Sequence, residues 1–167
     1  MKRLWILRHA KSSWDDPQLA DHERLLAKRG RRAGKRIAAW ADANGVAPDL
    51  VLCSSAVRAQ ATLDLVRPGL GDPTVSVESA LYHATATELV LRLSEVDENA
   101  TGVLLLGHNP AMHELAALVA PPGPDAFPTG ALASARLAID HWGDVRPGCG
   151  RLVDFVVPRS LEDQGPR

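Results

Sequence analysis

Cysteine is nearly absent: Cys53 and Cys149 are the only two in 167 residues, which excludes the disulfide framework that small exported domains rely on. Long apolar runs are missing too. The first block, Leu-Trp-Ile-Leu at residues 4–7, is too short for a secretory signal core and ends at Arg8, and no stretch approaches the roughly 20 apolar residues of a membrane span. A formal charge of −1 excludes the strong net charge that accompanies disorder, and there is no internal repeat or low-complexity tract. What is there, 46% hydrophobic and 23% charged residues, describes an ordinary globular domain, and the length suits about one unit of 100 to 200 residues. The expectation is a single domain over residues 1–159 and a polar, fraying tail over 160–167, in a cytoplasmic protein with reduced thiols.

The near-zero net charge conceals an uneven distribution. Residues 1–36 hold eleven Lys and Arg against four acids, giving +7, and the remainder gives −8. The first part of the chain can present a positive field to an anion that the rest would repel.

Three apolar blocks without alternation, Lys2 to Leu7, Leu50 to Cys53 and Val103 to Leu106, predict strands buried on both faces, as in parallel sheets. Helical patterns fall between them. Ile37, Ala38, Trp40 and Ala41 follow helical spacing opposite a basic face, with Gly45 and Pro48 as the stop. Ser55 is a candidate cap for a helix through Leu65, Thr85 and Glu88 form a capping box, and Asn109 with Pro110 opens a helix carrying Leu115, Leu118 and Val119. Residues 131–139 and 151–157 read as strands around a Gly- and Pro-bearing turn. The fold class is therefore α/β: a three-layer α/β/α architecture whose central sheet is mostly parallel, with an antiparallel edge.

In such sheets ligands bind beyond the carboxyl ends of the strands. Each predicted buried strand ends there in basic or imidazole groups: Arg8 and His9 after the first, Arg58 shortly after the second, Gly107 and His108 after the third. Arg8 and His9 can share a ligand only if the chain leaves the strand at that point, because neighbouring strand residues face opposite ways. Arg58 falls in a first helical turn, where free N–H groups favour an anion. A neutral imidazole as nucleophile with fixed guanidinium groups around it is what phosphoryl transfer to nitrogen requires.

The segments ILRHAKS at 6–12, SSAVRAQAT at 54–62 and LLGHNP at 105–110, in that order, resemble the histidine phosphatase superfamily, also called phosphoglycerate mutase-like. ALYHAT at 80–85 and FPTGALA at 127–133 resemble its small SixA-type phosphohistidine phosphatases, so the resemblance covers nearly the whole chain. It implies a phosphoglycerate mutase-like fold, His9 as the nucleophile that becomes phosphorylated, and Arg8, Arg58 and His108 as the rest of the phosphate site. Lys11 is a candidate for the rim. Two departures stand out: Ala10 follows Arg8-His9 where the family usually has Gly, and Leu81-Tyr82-His83 stands where many members have a Leu-x-Glu general acid. A missing carboxylic acid favours a substrate whose leaving group needs little protonation, namely a P–N bond. His83 is the candidate proton donor in its place, with Glu78, Glu88 and Glu114 as further candidate donors, Glu88 being engaged in its capping box.

The expected function is removal of phosphate from phosphohistidine on a protein. The alternative is a phosphomonoesterase of the same superfamily acting on a small molecule such as a sugar phosphate. No cofactor and no metal are expected: His108 and His113 are five apart, roughly 140° around a helix, and no second histidine follows at ligand spacing. Cys53 and Arg58 are separated by four residues without glycine, one too few for the phosphate loop of a cysteine phosphatase, and Cys53 reads as core. The run KRGRRAGKR from Lys28 to Arg36 is the basis of a more distant alternative, a module binding nucleic acid or an acidic partner; it has no interleaved aromatics and backs onto an apolar stripe, so a solvated helix face is expected. No nucleic-acid or membrane partner is expected, and a monomer is the working assumption.

Overall fold

The computed structural model describes residues 1–164. One six-stranded sheet runs through the molecule in the order β3-β2-β4-β1-β5-β6. Its strands are β1 (Lys2–Arg8), β2 (Leu50–Ser54), β3 (Thr74–Glu78), β4 (Gly102–Gly107), β5 (Leu132–Leu137) and β6 (Gly150–Val156). The first four pair in parallel; β5 runs antiparallel to β1, and β6 to β5. The parallel half is connected through helices α1 (Lys28–Ala43), α2 (Val57–Val66) and α3 (Ala86–Ser94), while α4 (Ala111–Val119) leads from β4 toward β5.

Why the central strands show no alternation is visible in the packing. Leu4 and Ile6 join Val103 and Leu105 on one face, beneath Leu89 and Leu93 of α3 and Leu115 and Val119 of α4. Trp5 and Leu7 join Leu104 and Leu106 on the other, beneath Ile37 and Ala41 of α1 and Ala59, Leu63 and Val66 of α2. Both faces lose water, so both strand parities must be apolar, and the three-layer expectation holds.

Several local expectations shift. Ser55 does not cap α2: the N-cap position is Ala56, without a side-chain cap, and the Ser55 hydroxyl instead meets Nε2 of His22 at 2.9 Å. Thr85 does cap α3, its Oγ1 accepting from the Glu88 N–H. The α4 helix starts one residue later than Asn109-Pro110 suggested, with Pro110 at the N-cap and Asn109 Oδ1 accepting from the His113 N–H. Strand β3 is an edge strand of five residues with Val77 exposed, and it lacks the continuous apolar pattern that marks its neighbours. The tail expected from residue 160 is in part the 3-10 segment Pro158–Gln164, with Leu161 packed on the core; residues 165–167 lie outside the described residues. Among the described residues no helix is long and apolar enough to cross a membrane.

Candidate active site

Strand β1 ends at Arg8, and the backbone turns there. The His9 N–H still donates to Gly107 O at 3.1 Å, but the carbonyls of Arg8 and His9 are both taken by the Gly130 N–H. The exit from the strand lets Arg8 and His9 line one cavity. Ala10 N–H donates to Thr62 Oγ1 at 3.0 Å, and that hydroxyl donates to the carbonyl of Arg58 at 2.7 Å, so α2 fixes the corner from behind. Among the described residues no non-glycine residue has positive φ, so Ala10 fits this corner without backbone strain.

His9 is buried, and its Nδ1 lies 2.8 Å from Ala10 O. A carbonyl only accepts, so Nδ1 carries the hydrogen and Nε2 holds the lone pair. Burial, with Arg58, Arg8 and Arg24 adding to it, pushes the imidazole down to about 4, against the opposing bond to Ala10 O. His108 lies with its ring centroid 5.1 Å from that of His9, and its Nε2 is 2.7 Å from Ser54 Oγ. Burial and the neighbouring His9 and Arg58 push it down to about 3. Both rings are neutral at physiological pH.

The guanidinium groups are held by backbone and by one acid. Arg8 donates through Nη1 to Phe127 O at 3.0 Å, a carbonyl that also accepts from Asn109 Nδ2. Arg58, in the first turn of α2, donates to Asp21 O at 2.7 Å and to Asp21 Oδ2 at 3.1 Å. Arg24 donates to Asp21 Oδ1 at 3.1 Å, and the Tyr82 hydroxyl donates to Asp21 Oδ2. Tyr82, followed by Arg24 and Arg58, holds the Asp21 carboxyl well below the usual carboxylate range. The Nε atoms of Arg8 and Arg58 and Nδ1 of His108 are buried without a partner among the described residues. Uncompensated guanidinium N–H donors build a positive local potential that an anion relieves.

These groups enclose a cavity of about 240 Å³, lined by Arg8, His9, Lys11, Arg58 and His108 together with Ser12, Trp14, Arg24, Asn109 and Thr129. Among the described residues no carboxylate lines it. His83, the candidate donor, is exposed, its ring centroid 4.0 Å from that of Tyr82 at a tilt of 44°, and it lines a neighbouring cavity with His108 and Glu114 instead. Glu78 is bound by Arg92 at 2.8 Å through each oxygen and is held below its ordinary range by that pairing. Cys53 is fully buried, and burial pushes its thiol up to about 12, which agrees with a core role. His22 is half-buried, edge-on to Tyr82 at 4.8 Å.

Sequence reasoning missed Asp21, Arg24, Ser54 and Tyr82 as parts of the site. Ser54 and Tyr82 stand inside quoted motifs and could have been found there; Asp21 and Arg24 lie in an irregular segment with no periodic signal.

Comparison with known proteins places the chain. An uncharacterized protein of Mycobacterium tuberculosis (strain H37Rv) is 41% identical over 163 residues, covering 92% of this chain and all of the relative. A solved structure of the protein histidine phosphatase SixA complexed with tungstate matches with a TM-score of 0.81 and 26% identity over 96% of this chain and 99% of that one. A structure from Agrobacterium tumefaciens assigned to SixA matches with a TM-score of 0.78 and 29% identity over 94% and 98%. No family model matches. The chain belongs to the histidine phosphatase superfamily, with a phosphoglycerate mutase-like fold.

Proposed function

We propose that this protein is a phosphatase whose His9 takes up the phosphoryl group, and that its substrate is phosphohistidine on a protein. Nε2 of His9 attacks phosphorus as the bond to the leaving nitrogen breaks; Arg8, Arg58 and His108 balance the charge on the equatorial oxygens, and Lys11 stands at the rim. Water then attacks phospho-His9, releasing inorganic phosphate and returning the neutral imidazole. The tungstate bound by the SixA neighbour is a tetrahedral oxyanion, and the orphaned donors around His9 suit such a group.

The observation that carries the substrate class is the lack of a proton donor. Among the described residues no carboxyl lines the cavity, Asp21 beside it is kept ionised, and the imidazoles of His9 and His108 are neutral. A sugar phosphate departs as a basic alkoxide and forgoes about 10²- to 10⁴-fold without an acid. A phosphorylated imidazole takes its proton from water at the other ring nitrogen and departs as a neutral ring.

The test compares kcat/KM for a phosphohistidine peptide, a sugar phosphate and an aryl phosphate whose leaving group needs no proton. Phosphohistidine should exceed the sugar phosphate by at least about 10²-fold. Equal or better turnover of the sugar phosphate would overturn the substrate class and move the protein to the small-molecule alternative.

A further inference from the structure

Beside the cavity of His9 opens a larger one, of about 570 Å³, and the two share Lys11 and Thr129 in their walls. Arg29, Ala33 and Arg36 line it from α1, one stripe at helical spacing, and Val157, Pro158 and Arg159 line it from the chain after β6. The exposed cations Lys11, Arg29 and Arg159 face this space and no carboxylate does among the described residues; Arg36, also in the wall, has a partner of its own. The basic run at residues 28–36, which the catalytic site leaves unused, therefore has a particular position: its Arg29 and Arg36 flank an opening that leads to the nucleophile.

We propose that this groove binds acidic side chains that flank the phosphorylated histidine of a protein substrate, a subsite that rests on the function proposed above. Three observations favour carboxylates on a peptide. Lys11, Arg29 and Arg159 are exposed, so their charge remains hydrated and adaptable, unlike the buried guanidinium of Arg58. Such cations attract mobile carboxylates and set partner choice and encounter rate, whereas a tight phosphate site needs dehydrated, pre-aimed donors. The walls between the charges, Ala33, Pro128, Val157 and Pro158, are aliphatic and offer contact to an extended chain. Among the described residues no aromatic ring lines the groove, so none of them stacks a base there, which argues against nucleic acid.

The experiment uses the full chain and the pair Arg29→Gln and Arg159→Gln, neither of which touches the cavity of His9. Two phosphohistidine peptides are compared, one flanked by Asp and Glu and one by Ala. Wild type should favour the acidic peptide by about 3- to 10-fold in kcat/KM at low salt, with the preference shrinking as salt rises. The double variant should lose most of that preference while its turnover of a small phosphoramidate stays unchanged, which also shows that it is folded.

Equal rates on the two peptides by wild type, or a preference untouched in the variant, would overturn the subsite. So would an oligonucleotide binding more tightly than the acidic peptide and losing that binding in the variant, or a doubly phosphorylated small molecule being the sole substrate to lose rate. Binding of the unphosphorylated acidic peptide, followed by calorimetry, reads the groove without any chemistry. If neither peptide is hydrolysed but acidic-peptide binding still falls in the variant, the proposed reaction fails and the groove assignment stands; no difference in binding sinks the groove alone.

Discussion

The cavity of His9 and the groove beside it share a wall at Lys11 and Thr129, and among the described residues no carboxylate lines either, yet they hold positive charge in opposite ways. In the cavity, Arg24 and Arg58 are buried, clamped to one acid, and surrounded by neutral imidazoles. In the groove, Arg29 and Arg159 end in water. A buried guanidinium with fixed partners loses little freedom when an oxyanion arrives, so it can stabilise charge that develops only during reaction. An exposed one is screened and contributes little per contact, so it sorts partners more than it drives chemistry.

Removing the proposed nucleophile should separate the two regions most sharply. His9→Ala is expected to lower phosphatase turnover by at least about 10⁴-fold while leaving acidic-peptide binding intact, as measured by steady-state kinetics and calorimetry on the same sample. Arg58→Lys keeps the charge but not the planar fork, and kcat/KM should fall by about 10²- to 10³-fold, far more than any loss from Arg29→Gln. Asp21→Asn is subtler: it releases Arg58, Arg24 and Tyr82 together without removing a phosphate ligand, and misplacement of that kind should cost about 10- to 100-fold. An effect as small as that of the groove variants would show that clamping by Asp21 is irrelevant to the cavity.

Titration sharpens the contrast from another side. His9 should change protonation near pH 4 in an NMR titration, well below the ordinary 6.5, because burial opposes its charged form. Between those values the unfolded chain binds the proton that the folded one refuses. The His9 contribution therefore lowers stability as pH falls from about 6.5 toward 4, and His9→Ala should flatten that part of the stability profile. A His9 ring that titrates at 6.5 would mean that the cavity is wet.

The smallest effect concerns the joint between the regions. Gly30 of α1 lies against the carbonyl of Lys11, which a Cβ would approach at 2.1 Å. Gly30→Ala should push helix and loop apart, costing about 1–3 kcal/mol in a denaturant titration and loosening both cavities at once. Unchanged stability would show that the two elements are not locked there.

How far the sequence discloses this arrangement depends on burial. Strands β1, β2 and β4 are legible because both of their faces are covered, which forces an apolar residue at every position from Leu4 to Leu7 and from Val103 to Leu106. Strand β3 is not, because an edge strand with Val77 exposed need not satisfy that demand. Arg8, His9, Arg58 and His108 can be placed near one another from strand ends alone, since parallel strands deliver their carboxyl ends to one edge. The clamp cannot. Asp21 meets Arg58 across 37 positions and Tyr82 across 61, through an irregular segment whose course is set by tertiary contacts and leaves no period in the sequence. The basic run at 28–36 reads as a solvated helix face until the structure sets Pro158 and Arg159 opposite it.

The central claim, that His9 accepts the phosphoryl group, is tested by mixing enzyme with a phosphorylated substrate, quenching at alkaline pH within a single turnover, and mapping the modification by mass spectrometry. One phosphoryl group is expected on the peptide that contains His9, appearing and decaying with turnover and absent from His9→Ala. Turnover at full rate with the phosphoryl group on another residue, or on none, would contradict it.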